Sequence, residues 1–147
     1  MILVIVILII FVVSFILFYF EPQAALLSKT GKEKIIGEKI EKATWKSREH
    51  KTTGTVFITK KNDVEFVRFE NLSTTNGPDL KVYLATNIQN DGTPVEFIDL
   101  GDLKANKGNS NYKVPGNVDL SSYKYVVIWC KRFSVSFADA RLDMLQN

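Results

Sequence analysis

From residue 54 onward the chain is cut into short β-prone runs by turn-forming residues, and few folds accommodate such segmentation. The runs are Gly54–Thr59, Val64–Asn71, Leu80–Thr86, Val95–Leu100, Ser110–Val114, Tyr123–Arg132 and Phe133–Ala138. Between them lie Lys61-Asn62-Asp63, Asn76-Gly77-Pro78, Asp91-Gly92, Gly108 and Pro115-Gly116. Glycine and asparagine accept the positive φ of turns, and proline cannot donate within a central ladder. No helical stretch long enough for a parallel crossover separates the runs, so the pattern predicts an all-β domain over residues 51–143. The expected architecture is an antiparallel β-sandwich or flattened barrel, with 144–147 as a short tail. In the last run Phe133, Val135 and Phe137 alternate with Ser134, Ser136 and Ala138, which assigns the three apolar side chains to the core. In the run before it, Val126, Ile128 and Cys130 share one face and Tyr125, Val127 and Trp129 the other. Both faces are apolar, as expected of a central strand covered on two sides.

The opposite end of the chain obeys a different rule. Ile2 to Phe20 is aliphatic or aromatic, interrupted only by Ser14, and carries no charge. At about 1.5 Å per residue it would make roughly 28 Å of helix, close to the hydrocarbon thickness of a bilayer. A cleaved secretory signal would need a basic n-region, a shorter apolar core and small residues at the cleavage site. No Lys or Arg precedes this run, Glu21-Pro22-Gln23 follows it, and no cysteine stands ready for lipid attachment. Residues 1–20 are therefore expected to form a single transmembrane anchor, and 21–50 a stalk. Within the stalk, Lys32 to Lys46 places Ile35, Ile36, Ile40 and Ala43 on an imperfect helical stripe, weakened by Gly31 and Gly37. Lys29, Lys32, Lys34 and Lys39 follow the span, which positive-inside bias would place in the cytoplasm. That bias weakens ahead of a translocated domain, so the residues leave orientation open.

The 147 residues include 19 basic and 16 acidic side chains, all beyond residue 20, for a net charge of +3. Acids and bases are interleaved, without the concentrated basic patch that counterion release from nucleic acid requires. What remains after the anchor suffices for one domain.

Chemistry-bearing residues are few. The one cysteine, Cys130, excludes an intrachain disulfide. Free cysteine ordinarily packs as a small buried hydrophobe, and Val126 and Ile128 make its face apolar. Arg132 lies two residues on, within about 7 Å along an extended strand, and a cation at that distance would stabilise a thiolate. Lys131 points the other way. His50 is the only histidine and falls in the expected stalk, so a blue-copper set is one imidazole short. A structural zinc site lacks ligands as well, and no metal site is assigned. The C-x-x-C-H haem attachment is absent, although one axial thiolate from Cys130 to haem is chemically allowed. No G-x-S-x-G or phosphate-cradling glycine loop occurs. Asp63, Glu65, Asp79 and Asp99 are scattered acids, and Asn71-Leu72-Ser73 matches a three-residue glycosylation sequon.

Three blocks are more specific in combination. Asn76-Gly77-Pro78-Asp79-Leu80-Lys81-Val82-Tyr83-Leu84 precedes Asp99-Leu100-Gly101-Asp102-Leu103-Lys104, and Tyr125-Val126-Val127-Ile128-Trp129-Cys130-Lys131-Arg132 leads into Phe133-Ser134-Val135-Ser136-Phe137-Ala138-Asp139-Ala140. This ordered series, over about residues 50–143, resembles the DM-thirteen family of small extracytoplasmic domains often found beside DOMON and cytochrome modules. The resemblance implies a β-sandwich-like domain outside the cytoplasm with a role in electron transfer. It places the family's signature cysteine on Cys130, as a bare redox thiol or as the ligand of a prosthetic group, while the role of Arg132 as its thiolate stabiliser rests on strand geometry alone. The chain lacks a haem-binding module of its own, so an electron partner would be a separate redox or haem-binding protein. The leading expectation is a single-pass protein of the cell membrane, its soluble domain facing outside and its redox role centred on Cys130. The alternatives are a non-catalytic adhesion or assembly module in which the cysteine only packs, and a thiol that pairs two chains.

Overall fold

The computed structural model describes residues 29–143. The expected anchor at 1–20, the first residues of the expected stalk and the tail at 144–147 lie outside the described residues. Among the described residues no helix is long and apolar enough to cross a membrane.

The domain is built from β1 (Thr30–Lys32), β2 (Glu38–Ser47), β3 (Thr53–Lys61), β4 (Val64–Ser73), β5 (Leu80–Ile88), β6 (Pro94–Asp102), β7 (Lys107–Lys113), β8 (Tyr125–Cys130) and β9 (Val135–Arg141), with one 3-10 turn at Leu120–Ser122. They form one nine-stranded sheet in the order β1-β7-β4-β3-β2-β9-β8-β5-β6. Every pairing is antiparallel except that of β1 with β7. The all-β expectation holds. Two stacked sheets do not: a single open sheet curls until its concave face encloses the core. Val56, Ile58, Val67 and Phe69 of one half meet Val82, Leu84, Val126 and Ile128 of the other in one buried cluster. Burial of each such side chain stabilises the fold by about 1.5–3 kcal/mol.

β2 is the reason for the single sheet. Its residues 38–44 pair with β3, and Trp45, Lys46 and Ser47 pair with β9. One strand thus joins the two halves, and the segment expected as stalk belongs to the sheet. The helical stripe drawn through the isoleucines also gives way, since Ile35 and Ile40 are about half exposed while Ala43 and Trp45 turn inward. Trp45 meets Phe69 edge-on with ring centroids 5.0 Å apart.

The outer face of β5 and β8 is covered too. Tyr83, Ala85, Val127 and Trp129 form a second buried cluster with Ile88 and Tyr125 against it. The β5–β6 turn lies over this side, because Asn90 O accepts from Arg48 Nη1 at 2.8 Å and Gly92 sits on Ser136. Gly92 has φ +86, and a Cβ there would stand 3.0 Å from the Ser136 side chain. Both faces of β8 are therefore covered, as its alternation implied.

Candidate functional site

Cys130 closes β8, opposite Leu80 on β5 and Val135 on β9. Its face is the one expected, shared with Val126 and Ile128 in the main core, and its solvent exposure is 0%. β8 stops at Cys130 because Lys131 to Ser134 turn back into β9, with Ser134 at φ 51. That turn moves two expected residues. Arg132 is not on the strand face of Cys130 but on the exposed turn. Phe133 is likewise no core residue: it is 65% exposed, whereas Phe137 is buried. A cation in water outside the strand is poorly placed to hold a thiolate inside the core.

The turn adjoins a cleft of about 350 Å³, lined by Gly77, Pro78, Asp79, Lys81, Asp102 and Lys29 among others. Lys131 N donates to Asp79 O at 2.9 Å, and Leu80 both lines the cleft and pairs with Cys130. Lys81 Nζ stands 3.5 Å from Asp79 and bonds Asp102. The hydrogen bond from Lys81 holds the Asp102 carboxyl below its ordinary range, and the same bond raises Lys81. The two acids share the one Lys81 ammonium, and Lys29 adds a second positive charge near Asp102. Cys130 does not line this cleft or those of about 310 Å³ by Arg48 and 450 Å³ by Lys34.

A haem does not fit these surroundings. The Cys130 sulfur is enclosed by core side chains and borders none of these three clefts. Among the described residues no three His, Cys, Asp or Glu side chains converge as metal ligands. His50 follows β2 at the domain's surface, half buried, its ring 4.1 Å from that of Phe137.

Two polar features escaped the sequence. Arg48 Nε donates to Asp139 Oδ2 at 2.5 Å, with side-chain exposures of 15% and 4%. That hydrogen bond raises the Arg48 guanidinium above its ordinary value. The only advance signal was an acid at a strand position whose neighbours Ala138 and Ala140 are small. Thr52 and Thr74 share a buried hydroxyl contact at 2.8 Å, for which no pattern gave warning. Neither feature is reactive by itself; the first ties the β2–β3 loop to β9, and the second ties that loop to the segment after β4.

No curated protein and no solved structure matches the chain. A family model described as electron transfer DM13 matches residues 44–142, a span reaching from within β2 to just past β9 and holding the cleft's lining apart from Lys29, the Arg48–Asp139 pair and Cys130. With well over half of its length so matched, this chain belongs to the DM13 family.

Proposed function

We propose that this chain is a membrane-anchored, outward-facing domain that serves an electron-transfer system by presenting its surface to a separate redox or haem-binding protein, while Cys130 packs the core. The DM13 match supports the redox setting. The observation that carries the packing role is the complete burial of Cys130 among Val126, Ile128 and Leu80. An electron partner cannot touch the sulfur without opening the sheet. Anchoring rests on the uncharged run Ile2–Phe20, and the outward orientation on the family's extracytoplasmic character.

A second reading keeps Cys130 as the redox thiol or as a ligand supplied to a partner's prosthetic group. It is favoured by one feature: Cys130 is the last residue of its strand, directly before an exposed turn. Local opening of that turn would bring the sulfur to solvent.

Alkylation of the native protein separates the two, after an absorption spectrum of protein from native membranes has established whether a chromophore shields the sulfur. Packing predicts no labelling until global unfolding, with Arg132→Gln without effect. It also predicts that Cys130→Ser is less stable than Cys130→Ala, because an unpartnered buried hydroxyl costs about 1–3 kcal/mol. Labelling of folded, chromophore-free protein, slowed by Arg132→Gln, would replace packing with the redox thiol.

A further inference from the structure

Phe133 is the most exposed large apolar side chain among the described residues, at 65%. It projects from a tight turn whose other members, Lys131, Arg132 and Ser134, are also exposed. Neither Lys131 nor Arg132 engages an ion pair among the described residues. An aromatic tip flanked by two free cations fits the boundary between headgroups and acyl chains, where aromatic rings partition and cations meet anionic lipid.

The position of this tip in the fold supplies the second half of the case. Lys29, the first described residue, lines the same cleft as Asp79, and Asp79 O holds Lys131 N at 2.9 Å. The turn and the point where the chain enters the domain therefore share one end of the curled sheet. Only residues 21–28 separate Lys29 from the apolar run that ends at Phe20. Eight residues reach at most about 29 Å, so this end of the domain stays beside whatever membrane holds the run. Lys113 marks the opposite end: β7 runs from Lys107, whose N–H donates to Lys29 O at 3.1 Å, to Lys113.

We propose that the β8–β9 turn docks on the anionic surface of the anchoring bilayer, Phe133 entering the interface and Lys131 and Arg132 lying on phosphate-bearing headgroups. This rests on residues 1–20 being the anchor. It deepens the proposed function by fixing which way the domain faces: the β3–β4 end turns away from the membrane, open to a partner.

The test uses full-length protein in phosphatidylcholine vesicles with and without phosphatidylglycerol. An environment-sensitive fluorophore is placed at Phe133→Cys or at Lys113→Cys, each in a Cys130→Ala background. Collisional quenching by spin-labelled lipid should be strong at 133 and weak at 113 in the anionic vesicles, and should fall at 133 in the neutral ones. Lys131→Gln with Arg132→Gln should lower the equilibrium constant for docking about 30-fold, at roughly fivefold per cation. Both positions are exposed, so these variants should keep the native circular dichroism. Protein retained through a carbonate wash but equally quenched at both sites, or not quenched at 133, overturns docking and leaves the anchor standing. Burial of the 133 probe only on addition of a second protein assigns the tip to a protein partner and overturns it likewise. Release by carbonate refutes the anchor itself, and docking with it.

Discussion

Glu41 turns a carboxylate toward the core side of β2, where one of its oxygens is buried without a hydrogen-bond partner among the described residues. Burial pushes its acid pKa up, and the nearby Asp143 carboxylate adds to that while the Asp143 backbone N–H offsets part. The raised value means that the folded state disfavours the charge. The penalty is absent below the ordinary glutamate pKa and appears in full once pH has risen through the folded-state value. Glu41→Gln should therefore raise stability at neutral pH and lose its advantage as pH falls from the folded-state value to about 4.5. Urea melts of the two proteins across that interval would show converging midpoints. A gap that stays constant with pH would mean that the carboxylate carries no such penalty. Glu33 is the contrasting case. Burial would raise it, but the Asn111 N–H at 2.6 Å and the Lys104 ammonium at 3.0 Å bring it below its ordinary value.

Among the elements, β8 was legible and β2 was not, for physical reasons. Two apolar faces in Tyr125–Cys130 can be satisfied only by a strand covered on both sides, and that is how the sheet uses it. β2 is dominated by Lys and Glu because most of its side chains face water, and only Ala43 and Trp45 declare an inner face. Its strand character comes from pairing with β3 and β9, which no local window contains. The alternation read through Phe133 failed at the same kind of boundary. Residues in a turn can continue a strand's pattern by chance, and the positive φ of Ser134 leaves no mark in apolar periodicity. Cys130 was placed correctly on its face, whereas the conclusion for Arg132 depended on a strand that had already ended. The Arg48–Asp139 pair, which ties the end of β2 to β9, yields a test of its own. Removing one partner of a buried pair strands a charge, so Asp139→Ala should cost about 3 kcal/mol, the low end of the range because Arg48 is partly hydrated. Arg48→Met combined with Asp139→Leu should cost less than the sum of the separate changes. A chemical-denaturation cycle showing additivity would mean that the two groups are not coupled.

For the whole molecule, the shared strand makes the fold indivisible. Residues 29–147 should fold without the apolar run, giving a β-type circular dichroism spectrum and one cooperative melt. A fragment beginning at residue 48 lacks β2 and should show neither, because its two half-sheets lose the strand that joins them. A cooperative melt of the shorter fragment would show that the halves hold together through their cores alone. The family match begins at residue 44, so the first part of β2 lies outside the matched span. Chain order has a temporal consequence as well. Trp45 finds its place beside Ala140, across almost the full described length. Such non-local pairing lowers folding rates, since loop closure precedes any return from contact. During synthesis the end of β2, Trp45 to Ser47, must wait for its sheet partner until the last strand has left the ribosome. Nascent chains with β2 through β8 already emerged would hold the Trp45–Ser47 backbone edge unpaired, the kind of open edge that chaperones shield.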